Sequence, residues 1–211
     1  MSLIFNVAEI RKQRLDAIVP RLFVKSPRDH REPDRIYEEH ESQYRMLAWL
    51  GWQFNGINIL DLGTRVGTSA ICLADNPANR VITCDITYTY KSIDIRPFLD
   101  HVGVNFIHGD ALSIPATTLN EASIISLDIS HNGTDEASFL TLLETIGFDG
   151  IVIMDDVNFP RKFKALKQAW ENIKLPKLLL PKEIAHDTGT GIVIYGQHDV
   201  RVVLSSDDVE S

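Results

Sequence analysis

Residues 57–70 read INILDLGTRVGTSA. An apolar run closes on Asp61, Gly63 and Gly67 follow, and Thr68, Ser69 and a further apolar segment come next. That is the pattern of a strand, a tight loop and a helix start. What the loop can hold is limited by what it lacks. A dinucleotide fingerprint needs three glycines as G-x-G-x-x-G, so that a pyrophosphate can approach bare backbone at a helix N-terminus. Only two glycines are present, and the Gly-Lys-Ser/Thr ending of a phosphate-binding P-loop is missing. Asp61 would repel a phosphate. An acid among small residues suits a cationic, phosphate-free nucleoside better.

Outward from this loop, short β-rich runs alternate with helix-length segments. Strands are expected at 57–62, 80–86, 103–107, 123–129 and 150–155, with later extended runs at 177–180, 191–196 and 200–204. Between 129 and 150, Thr134 or Asp135 is a plausible helix N-cap. Phe139, Leu142, Leu143 and Ile146 then share one helical face, and Gly147 would stop the helix. Pro160 opens a second amphipathic segment with Phe163, Leu166, Trp170 and Ile173. Residues 36–50 have helical spacing, residues 26–35 (SPRDHREPDR) read as a loop, and the N-terminus MSLIFNVAEIRKQRLDAIV reads as an amphipathic helix, not a signal peptide. Trp49 and Trp52 are expected to pack in the core ahead of the first strand.

Apolar strands separated by helices imply a mostly parallel sheet covered on both faces, an α/β architecture. In such sheets ligands bind beyond the carboxyl ends of the strands. Those ends carry Asp61, Asp85, Asp110, Asp128, Asp155 and Asp156. Unpaired carboxylates are rarely buried, so an edge crowded with them should meet a ligand, a metal or solvent.

The 211 residues suit one well-cored domain, and 44% hydrophobic with 24% charged residues is ordinary for a globular protein. A formal net charge of -8 argues against a broad nucleic-acid or anionic-membrane surface. The two cysteines, Cys72 and Cys84, lie in apolar segments and read as buried free thiols, consistent with a reducing cytoplasm. No Cys/His pair has zinc-ligand spacing, so no zinc site is expected. No apolar run is long enough to span a bilayer.

On Asp61, Gly63, Gly67 and Ser69 the chain resembles the class I S-adenosylmethionine (SAM)-dependent methyltransferases, in the branch with an E/D-x-G-x-x-x-G-x-S loop. The resemblance covers about 57–196. It implies a Rossmann-like seven-stranded sheet whose late strand is antiparallel, with SAM as cofactor. Asp61, Gly63, Thr64, Gly67 and Ser69 would hold the methionine portion. Asp85 would take the ribose hydroxyls, and Asp110, in HGDAL, the adenine.

The stretch ISLDISHNGTDEASFLTLLETIGFDGIVIMDDV (125–157) is similar to the D-G-D-H … P-G-G … D-D-V block of a group containing many small-molecule O-methyltransferases, some of them metal-dependent. By that resemblance Asp128, Asp155 and Asp156 would bind Mg2+, Asp128 would also adjoin the cofactor, and Asp128 and His131 would be catalytic, His131 as general base. Asp155 and Asp156 can face one site only if the chain leaves the strand there. Asp149-Gly150 stands for the glycine pair, and Ser130 for the family's second acid, which leaves the metal requirement open. His186 reads as a loop residue, with a substrate contact the lesser reading, and Asn158 could reach the site from its loop.

The expected organisation is a helical extension over 1–55, a methyltransferase domain over 56–200 and a tail over 201–211. The expected activity is methyl transfer from SAM to a hydroxyl of a small molecule, with no nucleic acid or membrane partner and a homo-oligomer left open. The competing readings are an NAD(P)-binding oxidoreductase and a catalytically inactive methyltransferase-fold binding protein. The missing third glycine counts against the first, and Ser130 keeps the second alive. A nucleic-acid methyltransferase is disfavoured by the acidic balance and the lack of an N/D-P-P-Y/F motif.

Overall fold

The computed structural model describes residues 1–15, 40–90, 93–158 and 164–204. Its elements begin with β1 (Ser2–Asn6), α1 (Val7–Ile10) and α2 (Glu41–Trp52). Next come β2 (Asn58–Leu62), α3 (Thr68–Leu73), β3 (Arg80–Asp85), the two-residue strands β4 (Thr89–Tyr90) and β5 (Ile93–Asp94), and α4 (Arg96–His101). The chain continues through β6 (Asn105–His108), a 3-10 turn (Ala111–Ser113), α5 (Ala116–Glu121), β7 (Ala122–Leu127) and α6 (Thr134–Ile146). It closes with β8 (Ile151–Met154), α7 (Lys164–Asn172), β9 (Lys177–Leu179), β10 (Gly191–Ile194) and β11 (Asp199–Val203).

Seven strands form one sheet in the order β6-β3-β2-β7-β8-β10-β9. The pairs from β6 to β8 are all parallel, and β10 runs antiparallel to both β8 and β9. This is the sheet expected from the alternation of apolar runs and helices. Successive side chains of each strand point to opposite faces, so a continuous apolar run feeds two cores. Ile59, Ile124, Ile151 and Ile192 enter one, with Met46, Leu47 and Leu50 of α2, Ile71 and Leu73 of α3 and Leu99 of α4. Their neighbours Leu60, Ile125, Val152 and Val193 enter the other, with Leu119 of α5, Phe139, Leu140 and Leu143 of α6 and Leu166 of α7. Truncating a side chain as fully enclosed as Phe139 costs about 3–5 kcal/mol.

The N-terminus differs from expectation. The N-terminal residues open as a strand, not a helix: β1 pairs in parallel with β11, from Ser2 opposite Asp199 to Asn6 opposite Val203. The reason lies in the five residues SLIFN. Leu3 and Phe5 alternate inward, which is strand spacing, while the next apolar residues also fit a helix, so the pattern is ambiguous until a partner strand decides it. Phe5 then packs its ring 5.5 Å from Trp49. The extended run expected at 200–204 is β11, so the domain boundary expected at 200 falls inside a strand. Trp49 is buried as expected, but Trp52 is exposed and donates its indole N–H to Asp75 at 2.7 Å. The expected loop at 26–35, Pro160 and Phe163 lie outside the described residues. Among the described residues no helix is long and apolar enough to cross a membrane.

Candidate active site

The carboxyl edge of the sheet is built from three tight departures of the chain. Among the described residues only Arg65 (φ 47°), His131 (φ 59°) and Asp156 (φ 58°) are non-glycine residues in the left-handed region, and all three lie just past β2, β7 and β8. Such backbone is sparsely populated and concentrates at functional sites.

The first departure is the loop after β2. Gly63 has φ 97°, and a Cβ there would fall 1.8 Å from the Asp128 carbonyl oxygen. Only glycine lets the loop pass this close to the end of β7. Gly67, with φ 87°, is the N-cap of α3. The Arg65 N–H donates to Asp85 Oδ2 at 2.9 Å, and the Thr87 N–H to Asp85 Oδ1 at 2.9 Å. The acid ending β3 is thus pinned to the β2 loop, and the two form one rim.

Other residues of the expected cofactor group face elsewhere. The Asp61 carboxylate is buried, accepts from Thr83 Oγ1 at 2.8 Å and is also hydrogen-bonded by Ser69 and Ser126. Burial pushes its carboxyl up to about 6 despite those bonds. Thr64 is buried too, its hydroxyl paired with Thr83. Asp61, Thr64 and Ser69 therefore shape the loop from beneath through their side chains. Asp110 is exposed at the end of β6, where its Oδ1 accepts the Leu112 N–H at 2.9 Å and caps the 3-10 turn.

The second departure follows β7. Asp128 continues the strand through its N–H to the Leu62 carbonyl at 2.9 Å. The next residues wrap around the buried Glu136 carboxylate, which accepts N–H bonds from Ser130 (3.1 Å), His131 (2.6 Å) and Gly133 (2.7 Å). The helix N-cap is consequently Gly133, one residue before the earliest expected. Ser130 directs its hydroxyl to Glu136 at 3.3 Å. The wrap swings His131 back over the edge, with Nε2 2.7 Å from Asp128 Oδ1 and 3.0 Å from Asp156 Oδ2.

The third departure follows β8. Asp155 donates its N–H to the Leu127 carbonyl at 3.3 Å, and at Asp156 the chain turns, so both side chains reach one corner as expected. The loop between β9 and β10 meets them there: Val157 N–H bonds the Gly189 carbonyl (3.1 Å) and Asn158 N–H the Thr188 carbonyl (2.8 Å). That pairing delivers His186, whose Nδ1 lies 3.2 Å from Asp156 Oδ1 and 3.7 Å from Asp155 Oδ1. The Thr188 hydroxyl donates to Asp156 Oδ1 and also contacts His186. From α2 and its N-cap, His40 packs against His186 with ring centres 4.1 Å apart and ring planes tilted by 44°, Gln43 hydrogen-bonds Asp155, and Tyr44 hydrogen-bonds Thr68.

Charge in this corner is tightly shared. Burial alone would lower the His131 imidazole, but Asp128 and Asp156 outweigh it and raise the group to about 10. Held between two carboxylates, His131 favours its protonated form, which suits it to orienting them more than to the expected role of general base. Burial alone would also raise Asp156, yet hydrogen bonds from His131, His186 and Thr188 hold its carboxyl well below the usual carboxylate range. Burial, and then the Asp128 charge, push Asp155 up to about 7. Its Oδ1 is buried without a hydrogen-bond partner.

Among the described residues, donor atoms within 4.8 Å of one another form two groups: Asp128, His131 and Asp156, and Asp155, Asp156 and His186. The three carboxylates expected to bind Mg2+ are thus divided between two histidine-containing groups that share Asp156. An orphaned oxygen and a mixed carboxylate–imidazole donor set fit a divalent ion. Sequence reasoning placed His186 on a loop, as found, but not at this corner, and missed Thr188, Glu136 and His40. The only signal for His186 was its place before the T-G-T-G turn at 188–191, and nothing local ties that turn to β8.

In sequence, no protein-family model and no curated protein matches the chain. Solved structures do match in shape. A Staphylococcus aureus protein provisionally assigned as a caffeoyl-CoA O-methyltransferase aligns at 20% identity with TM-score 0.55, covering 72% of this chain and 82% of that one. The O-methyltransferase of Bacillus cereus, solved with S-adenosylhomocysteine (SAH), aligns at 17% identity with TM-score 0.52, covering 90% of each chain. TomG, an O-methyltransferase of Streptomyces achromogenes involved in tomaymycin synthesis and solved with SAM, aligns at 17% identity with TM-score 0.51, covering 90% of this chain and 89% of that one. These likenesses establish the fold: a Rossmann-like class I methyltransferase sheet, mostly parallel, with helices on both faces.

Proposed function

We propose that this protein transfers a methyl group from SAM to a hydroxyl oxygen of a small molecule. One observation carries the reading. The glycine turn after β2, locked to Asp85 through the Arg65 N–H, shares an edge with the Asp–His corner at the ends of β7 and β8. The first is a rim for a nucleoside without phosphates and the second is a place for acid–base chemistry, on a fold whose likenesses from B. cereus and S. achromogenes were solved with SAH and SAM.

In this reading the backbone of the Gly63–Gly67 turn and the start of α3 hold the methionine portion. Asp85 takes the ribose hydroxyls with the carboxylate lone pairs left by Arg65 and Thr87, and Asp110 borders the adenine. Asp61, Thr64 and Ser69 keep the turn in shape. The acceptor sits over the corner, where His131 fixes Asp128 and Asp156. The acceptor oxygen attacks the methyl carbon as the C–S bond breaks, the sulfonium leaves as the neutral thioether of SAH, and the hydroxyl proton passes to Asp128. Holding oxygen, carbon and sulfur in line supplies most of the acceleration. A divalent ion, when bound at this corner, supplies positive charge that orients the hydroxyl and lowers its pKa.

Calorimetric titration with SAM and SAH tests the cofactor half. Asp85→Asn should weaken both by about tenfold or more, the effect of weakening a charge-assisted hydrogen bond. Transfer of a labelled methyl group to a panel of hydroxylated small molecules tests the rest. Absence of binding by either ligand overturns the proposal.

A further inference from the structure

We infer that the corner takes a borderline transition-metal dication in preference to magnesium, through His186 Nδ1 together with Asp155 and Asp156. The inference rests on the proposed activity for the use of the ion, though not for its binding. Of the two donor groups, this one is the more enclosed: the side chains of Asp155, Asp156 and His186 are 11%, 11% and 12% exposed, against 43% for Asp128 in the other. It contains a buried oxygen without a hydrogen-bond partner, Asp155 Oδ1, as the other group does in Asp128 Oδ1. In the Asp128–His131–Asp156 group one imidazole nitrogen already spans both carboxylates at 2.7 and 3.0 Å, closer than His186 Nδ1 lies to Asp156 (3.2 Å) and Asp155 (3.7 Å).

The chemistry of the donors sets the class of ion. Magnesium dehydrates reluctantly and favours all-oxygen sites, whereas an imidazole beside two carboxylates suits manganese, cobalt, nickel or zinc. A ligating imidazole also needs its second nitrogen placed. His186 Nε2 lies 3.5 Å from His40 Nε2, so His40 can fix the tautomer that leaves Nδ1 free for the ion, once the Thr188 hydroxyl turns from it. The sequence hides the site because its third donor arrives on the β9–β10 loop, 30 residues beyond Asp156.

The test uses tag-free full-length protein, stripped with chelator, without SAM or SAH. Cobalt(II) is followed by its visible absorption, and manganese, zinc and magnesium by calorimetry. Cobalt should bind at least about tenfold more tightly than magnesium and develop a visible band. His186→Ala should remove the band and lower cobalt affinity about tenfold or more, with magnesium affinity changed less than threefold as a rough bound. His186→Gln serves if the alanine variant does not fold, and melting curves of the metal-free variants establish folding. His131→Ala should keep the band. Equal cobalt and magnesium affinity, a band that survives in a folded His186 variant, or a band that depends on His131 and not His186 overturns the inference. Ion binding without cofactor binding would retire the proposed activity alone, and cofactor binding without His186-dependent ion selectivity would retire this inference alone.

Discussion

Replacing Gly63 by alanine tests the close passage on which the proposed cofactor rim depends. Two effects are separable. The residue sits at φ 97°, and forcing an L side chain into left-handed backbone costs roughly 1–2 kcal/mol. Its new methyl would also lie 1.8 Å from the Asp128 carbonyl oxygen and 2.6 Å from the carbonyl carbon. Neither atom belongs to a flexible side chain, so the β2 loop or the end of β7 must shift, at about 1–3 kcal/mol by analogy with overpacked cores. Gly103 supplies the control, since it has φ 78° and a methyl added there would meet nothing within 4 Å. Gly103→Ala should therefore lose only the backbone part, about 1–2 kcal/mol, and Gly63→Ala roughly 2–5 kcal/mol. Urea unfolding of both variants measures the difference, and a scan of thermal midpoints should show about 2–4 °C for each kcal/mol in a chain of this size. Equal losses for the two variants would show that the loop and β7 do not approach as described.

Buried groups supply three further tests. Folded Asp61 titrates near 6 against an ordinary 3.8, so folding favours its neutral form; the stability this contributes at low pH is lost as pH rises from about 4 to about 6. Asp61→Asn should thus gain roughly 2–2.5 kcal/mol on wild type between pH 4 and pH 8, read by urea unfolding at both values, and a pH-independent difference would refute the assignment. Glu136→Ala removes the acceptor of three backbone N–H groups and should cost about 3–5 kcal/mol, with amide exchange accelerating at Ser130, His131 and Gly133. Phe5→Ala should cost about 3–5 kcal/mol in denaturant unfolding, the loss of a fully buried aromatic, where a surface helix at this position would lose little.

The central sheet was legible because each of its inner strands is a continuous apolar run that no half-exposed element would carry. The acids at the strand ends were legible for the same reason, since they break such runs. Less visible was the direction in which a side chain turns once the backbone has left the strand. Thr64 and Asp61 look like ligand contacts in LDLGT, yet Thr83 on the neighbouring strand draws both inward. His131 reads as a free imidazole until Glu136, five residues on, curls the loop and sets it between two carboxylates. His186 joins the corner only through hydrogen bonds between Val157–Asn158 and Thr188–Gly189, a pairing of distant segments that no local pattern records. At the N-terminus, five residues are too few for a period, and β1 takes its identity from β11.

The pairing of β1 with β11 also imposes an order in time. Ser2 is opposite Asp199, so the partner of the first strand is made 197 residues later. At ordinary elongation rates of about 5–20 residues per second, that interval is on the order of 10–40 s. Throughout it the backbone edge of Ser2–Asn6 lacks the strand it pairs with, even after α2 has emerged to receive Phe5. The stretch made late therefore completes the stretch made first, and a nascent chain stalled before residue 199 would present an open, apolar β edge to whatever chaperone or neighbour is near.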